Sequence, residues 1–436
     1  MNLNKYLLVM GVMLTGVVGL HSCAEYAKSV ASPIDLITDT QLNDESQVPF
    51  MVNGVQRQFS WRYAQMTSLA GGLSDEFFFD TRVPNATFIA FSEIDLGVIG
   101  FDNNSVNNQW FDIGTMRFNA DALAARVPKI KFTSDATRAT ALYNANLYGG
   151  IARFWYAAYY GFRPNDGGGV IDGGPFIPSN AMYDSALAKL NIALQNAATD
   201  LQRRTVNTVI AKVNLAAERY PAARAAALLG MRRGDASLDA QYDEATIRNQ
   251  WFFDGGRNRC QLIPSPRFAQ YIAADSLEGR IFPARIVSGA LSYTGLDVDF
   301  TTSLASRRLL LHGPVTNGGL TFWVQGRFPN QGSAMPFVTW QENELILAET
   351  AARSGNLDAA LTNVNNVRTF HNLAARTVTN TDSIYIERDK QLFATGMRLI
   401  DQRRFNRWHI AAPANAWRFL PIGQPERNTN TNLPKE

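Results

Sequence analysis

Four stretches of this chain place small and apolar residues three and four positions apart, a spacing that commits them to helices packed on one face. Residues 136–160, ATRATALYNANLYGGIARFWYAAYY, carry alanine, leucine and aromatic side chains at this period. Thr133, Ser134 and Asp135 just before it are N-cap candidates. Residues 183–198 repeat the pattern, with Ala186, Leu187, Leu190 and Leu194 on one stripe. The alanine-rich run KVNLAAERYPAARAAALLGMRRGD holds Pro221, which a helix interior does not tolerate, so it divides into two helices at Tyr220-Pro221. Residues 340–368 spell a helix, a turn at Gly355-Asn356, and a second helix with Ala359 and Ala360 near its start and Leu361 on the inward stripe.

Small residues at such a start let two helices lie close together, and the arrangement resembles a tetratricopeptide hairpin. LLGMRRGD, ending at Asp235, looks like part of another. Hairpins of this kind must stack to bury a continuous core. Generic antiparallel helices would share most of the pattern and remain the alternative. Other segments have a different character. Residues 165–180, NDGGGVIDGGPFIPSN, read as a glycine-rich loop. Residues from Trp251 to about Gln331 mix glycine, proline and aromatics with β-like runs such as RRLLLHG and LTFWVQGRF; irregular stretches this long inside a compact protein are usually functional or disordered, and the aromatics argue against disorder. The expected fold is mostly α: helical hairpins forming a scaffold over about 40–250 and 336–412, with a loop-rich segment carrying short strands over about 251–335.

The first residues set the location. Lys5 provides a positive start, and Leu7 to Leu20 form an apolar core. That run is too short to span a bilayer, which takes about 20 residues, but it fits a secretory signal. Its ending, Leu20-His21-Ser22-Cys23, resembles the lipobox of bacterial lipoproteins, with His21 departing from the usual small or apolar residue. The expectation is a signal over residues 1–22, lipidation at Cys23, a single body over 23–436, and a protein held on a membrane surface without crossing it. The alternative is an ordinary signal peptide cut near Ser22.

Charge is close to balance, 41 basic against 38 acidic residues, so there is no electrostatic footprint for nucleic acid. With Cys23 acylated, Cys260 stands alone and reads as a small buried hydrophobe. The four histidines, at 21, 312, 371 and 409, show no metal-ligand spacing. There is no G-x-S-x-G elbow, and GGGVIDGG lacks the Gly-Lys-Ser/Thr of a phosphate loop. Asp75, Glu76 and Asp80 form the one carboxylate cluster that could serve as a glycosidase pair; a solvated or ligand-binding group is the commoner role. The expectation is a protein that is not an enzyme and carries no cofactor.

The C-terminal part is the most specific. WQENELILAETAARSGNLDAALTNVNNVR is followed by ERDKQLFATGMRLIDQRRFNRWH, and the chain closes with RFLPIGQPERNTNTNLPKE. This order resembles the SusD/RagB family of outer-membrane nutrient-binding lipoproteins. The matching positions are Glu387, Arg388, Phe393, Gly396, Arg398, Asp401, Arg404, Trp408, Leu420, Pro421, Ile422, Asn430 and Asn432. Upstream, VNGVQRQFSWRYAQMTSLAGGLSDEF looks like the family's first helix, NNQWFDIGTMRFNADALAARV its second, and ARFWYAAYYGFRP the helix ending in Tyr-Gly. The chain is shorter than typical members, so insertions around the ligand site are trimmed. Gly396, Arg398 and Arg404 are read as holding the fold rather than touching a ligand.

The resemblance implies a lipid-anchored outer-membrane protein facing the exterior. Such a protein captures a nutrient, in the starch-binding members an oligosaccharide, for a SusC-like TonB-dependent transporter. Sugar rings stack on flat aromatics while carboxylates and arginines take their hydroxyls. On that chemistry the candidate ligand contacts are Asp75, Glu76, Arg82, Tyr293, Trp323 and Arg327. A helical scaffold for protein–protein contact, or the binding of peptides or other nutrients, is the alternative.

Overall fold

The computed structural model describes residues 38–294 and 307–435; Cys23 and the signal segment lie outside the described residues. The helices are α1 (Val48–Leu73), α2 (Ile89–Asp95), α3 (Asn104–Arg126), α4 (Asp135–Tyr159), α5 (Ser179–Gln195), α6 (Asp200–Ala216), α7 (Tyr220–Leu228), α8 (Gln250–Asp254), α9 (Arg267–Ala274), α10 (Trp340–Arg353), α11 (Leu357–Phe370), α12 (Thr381–Gln391), α13 (Met397–Arg404) and α14 (Gln424–Thr429). The strands are β1 (Phe77–Phe78), β2 (Tyr160–Arg163), β3 (Asp166–Gly169), β4 (Ile177–Pro178), β5 (Leu238–Ala240), β6 (Ile263–Pro264), β7 (Gly279–Phe282), β8 (Ala284–Val287), β9 (Ala290–Tyr293), β10 (Leu309–Asn317), β11 (Leu320–Gln325), β12 (Met335–Val338) and β13 (Leu420–Pro421).

Local chemistry starts and stops the helices. Ser134 Oγ accepts from the Thr137 amide at the head of α4. Thr199 and Gln202 form a capping box on α6, and Asn356 caps α11 after Gly355 turns the chain at φ +82°. Pro221 sits in the first turn of α7, where its missing amide costs nothing. The helices then pack as successive neighbours, α3 on α4, α4 on α5, α5 on α6, α6 on α7, α7 on α10 and α10 on α11, with α1 against α3 and α4. This is the expected mostly helical scaffold. Its centre is aromatic: Phe59, Tyr63 and Trp155 lie near-parallel, with the Phe337 ring edge-on to all three.

Two details differ from the sequence reading. Leu361 is only half-buried, because the inward stripe of α11 is Ala360, Val364 and Val367, one position out of phase. The glycine-rich 165–180 segment is not merely loop. β3 and β4 pair within it, β3 pairs β2, and β13 joins β2 in parallel to close a four-stranded sheet. Glycine is required there, since a Cβ on Gly167 would lie 2.4 Å from the Phe419 ring.

The C-terminal motif is buried and electrostatic. Glu387 accepts from Arg308 and Arg368, each at 2.7 Å, and from Arg376 at 3.1 Å. Asp401 holds Arg388 at 2.7 Å and Arg404 at 2.8 Å, and Arg404 also grips Glu349. Arg398 ties Asp75 at 2.6 Å to Asp389 at 3.3 Å. Burying so many charges is tolerable only because each finds a partner. Gly396, at φ +75°, lets this segment approach α1, where a Cβ would stand 3.2 Å from Thr67 Cα. These contacts give Gly396, Arg398 and Arg404 the fold-holding work read from the sequence.

Candidate functional site

The loop between β1 and α2, residues 79–88, is held from three sides. Within it the Val83 amide donates to Asp80 O and the Ala86 amide to Val83 O, each at 3.0 Å, giving two consecutive turns. Gln261 is the main clamp: its Oε1 accepts from the amides of Thr87 and Phe88, both at 2.9 Å, and its Nε2 donates to Asn85 O. From the third side, Asn317 Nδ2 donates to Arg82 O at 2.6 Å. Beneath, Val83 and Ala86 pack with Cys260, Ile263, Val315, Phe322 and Val324 in a small separate core.

Asn317 lies at the tip of the β10–β11 hairpin, whose Gly318 and Gly319 both have positive φ, as the tight turn of a two-residue hairpin requires. A Cβ on Gly318 would meet the Arg82 side chain at 3.4 Å, so loop and hairpin tip form one rigid surface. It presents an Asp80–Arg82 pair, with Arg82 Nε 2.9 Å from Asp80 Oδ1, and the exposed hydroxyls of Thr316 and Thr321, 3.1 Å apart. It also presents Phe88, 40% exposed, with the Arg259 guanidinium 4.6 Å from its ring centroid. A partly exposed ring with an arginine over it, on the same pinned loop as an arginine–carboxylate pair, offers the chemistry that stacks on a sugar face and bonds its rim.

Of the six residues singled out from the sequence, only Arg82 lies on this surface. The others are placed elsewhere for clear reasons. Asp75 is taken up by Arg398 and Arg267. Glu76 is 1% exposed; its Oε1 accepts from the Ala394 amide at 2.8 Å, and burial pushes its carboxyl up to about 8. Asp75, half-buried, has its oxygens engaged by arginines, and Glu76 is sealed from solvent, so neither presents a free carboxylate in this structure. Arg327 donates to the Phe393 carbonyl. Tyr293 packs on the small core with its ring 4.9 Å from His312, its hydroxyl shielded from solvent. Trp323 lies on the side of β11 opposite Phe322 and Val324, the side Thr321 shares, because successive strand residues alternate, and it is half-buried against the main core. Tyr293 and Trp323 therefore do not share a stacking site.

The carboxylate cluster is likewise dispersed: Asp75 is paired with arginines, Glu76 is sealed inside, and Asp80 is tied to Arg82. Among the described residues no group of three or more His, Cys, Asp or Glu is arranged to hold a metal ion, and no helix is long and apolar enough to cross a membrane. Cys260 is buried and unbonded, as expected. The sequence reading missed Phe88, Arg259 and Gln261. The Asn317-Gly318-Gly319 turn signal was there to find the hairpin, but nothing local marks Gln261 as the clamp of a loop more than 170 residues away.

No family model matches the chain, and no curated protein sequence does. Solved structures match over nearly the whole length. A laminarin-binding SusD-like protein covers 89% of this chain and 98% of its own, at TM-score 0.67 and 14% identity. A SusD superfamily protein from Bacteroides thetaiotaomicron matches at TM-score 0.67 and 14% identity, covering 90% of this chain and 99% of its own. Surface glycan-binding protein A from Bacteroides uniformis matches at TM-score 0.64 and 13% identity, covering 89% and 99%. The helical scaffold and its inserted short strands thus follow one known arrangement over about nine-tenths of the chain, and the protein has the SusD-like fold.

Proposed function

We propose that this protein captures an oligosaccharide at the cell surface, on the face formed by the 79–88 loop and the β10–β11 hairpin. We further propose that it passes the sugar to a SusC-like TonB-dependent transporter while held to the outer membrane by a lipid on Cys23. The observation that carries the reading is the 79–88 loop pinned at both ends, by Gln261 at Phe88 and by Asn317 at Arg82, with the Arg259 guanidinium over the Phe88 ring. Pre-organisation matters because a weak sugar contact cannot also supply the ordering of two loops. The SusD-like fold supports it, since solved proteins of that fold include ones named for binding laminarin and surface glycans. The chemistry is binding alone: recognition by stacking and hydrogen bonds, with no residue asked to transfer a proton.

The test is calorimetric titration of the soluble protein, starting at residue 24, with laminarin and malto-oligosaccharides. Binding by the wild type, weakened at least tenfold in Phe88→Ala with an unchanged melting temperature, supports the reading. Equal affinity in wild type and Phe88→Ala places the site elsewhere.

A further inference from the structure

We propose that a second cavity, at the opposite end of the β10–β11 hairpin from its tip, binds an acidic sugar by its anionic group. The cavity is about 480 Å³, enough for one or two sugar rings by the usual size of small-molecule sites. β10 runs nine residues between the two ends, so the cavity lies on the order of 20 Å or more from the Gly318 turn. It is independent of the surface proposed above.

Three sources of positive potential meet on it. Arg327 lines the wall, and its hydrogen bond is to the Phe393 carbonyl; among the described residues no carboxylate lies within ion-pair distance of it. Burial lowers its proton affinity, and Tyr63 and Glu76 offset that loss only in part. Arg307 lines the rim and donates to Ser276 O at 2.9 Å. The third source is the start of α10: Thr339, Trp340 and Gln341 line the cavity, and first-turn amides have no partner within a helix and carry the positive end of its dipole. Among the described residues, the carboxylate in the wall and two near Arg308 are already engaged. Asp235, also in the wall, is held by Arg204 at 2.7 and 2.6 Å, while Glu278 and Glu387 are committed to Arg308.

Arg327 is unusual in this interior. Arg308, Arg388, Arg398 and Arg404 each hold a carboxylate. Arg403, which does not, spends its donors on the carbonyls of Ala158 and Arg418. One carbonyl uses one of five guanidinium N–H groups, leaving Arg327 donors for a ligand. Trp340 and Phe370, rings 5.0 Å apart and edge to face, line the same space and supply the apolar surface for a ring. A ring carrying a carboxylate or sulfate satisfies both halves, whereas a neutral sugar leaves the positive charge uncompensated.

The experiment is titration with glucuronate, galacturonate and glucose 6-sulfate, with glucose and inorganic sulfate as comparators, in wild type, Arg327→Gln, Arg307→Gln and Phe88→Ala. The uronates and the sulfate ester separate the two sources of the anion. The expected result is binding of at least one acidic sugar at least tenfold tighter than glucose and than inorganic sulfate. Affinity falls about fivefold or more in each arginine variant, weakens with added salt, and is unchanged in Phe88→Ala. Arg307 is half-buried at the rim and makes one hydrogen bond, to Ser276 O, so its variant carries the test if Arg327→Gln does not fold. Glucose or inorganic sulfate binding as tightly as every acidic sugar, no acidic sugar binding, or wild-type affinity in Arg307→Gln overturns the proposal.

Discussion

Replacing Glu387 by glutamine removes one negative charge from beneath three arginines and leaves the shape of the site intact. The Glu387 side chain is 1% exposed and accepts from Arg308, Arg368 and Arg376. Burial alone would raise its carboxyl, but Arg308 and Arg368 outweigh it and hold the group down at about 2. The drop from 4.5 to about 2, at about 1.4 kcal/mol per tenfold change in proton affinity, corresponds to about 3 kcal/mol of native-state stabilisation. Breaking a buried pair typically costs a similar 3–5 kcal/mol, since the arginines stay buried and uncompensated. Urea unfolding at pH 7 is therefore expected to show Glu387→Gln less stable by about 3–5 kcal/mol. The pH dependence gives a second, independent check. A depressed carboxyl stabilises fully above its unfolded value, and the effect is lost as pH falls towards its folded value. The gap between wild type and variant should therefore hold from pH 7 to about 5 and shrink by about 2 kcal/mol by pH 3. A loss below 1 kcal/mol at pH 7, or a gap that does not narrow in acid, refutes the assignment of Glu387 as the anchor of this cluster.

Glu76 runs the other way. Burial holds it up at about 8, so the unfolded chain ionises first and Glu76 costs stability as pH rises from about 4.5 to 8; Glu76→Gln should gain on wild type across that window in melting temperature, and a constant difference would contradict it. Gly396→Ala forces a side chain into φ +75° and to 3.2 Å from Thr67 Cα, and denaturant unfolding should show a loss of at least about 1 kcal/mol; an unchanged midpoint would remove the close approach from the account. Cys23→Ala in the full-length chain should abolish acylation and release the protein from the membrane fraction; retention with the same lipid mass shift would contradict lipidation at that residue.

The helices were legible because their signals are local: the caps at Ser134 and Asn356, Pro221 at a helix start, and a repeating apolar stripe. Where the stripe is short the phase slipped by one, as at Leu361. The β2–β3–β4 sheet was not legible, because its fourth strand, Leu420–Pro421, arrives from about 260 residues downstream and pairing partners at that distance leave no pattern. The ion-pair core shows the same limit. Sequence gives the charges of Glu387, Asp401 and Arg404 but not that the fold closes over them. The candidate surface was half legible: Arg82 was identified, whereas Phe88 reads locally as one more apolar residue in NATFIAF. Only Gln261 and Arg259, brought from a distant segment, make it a presented ring.

The central claim is that the loop–hairpin surface takes an oligosaccharide, and titration of that surface tests it most directly. Wild type, Phe88→Ala and Arg82→Ala are each titrated with laminarin and malto-oligosaccharides, with melting curves on the same samples. Measurable wild-type binding to one of the glycans is expected, at least tenfold weaker in Phe88→Ala and weakened also in Arg82→Ala, at unchanged thermal stability. Wild-type affinity retained in both variants, with the protein folded, would contradict it.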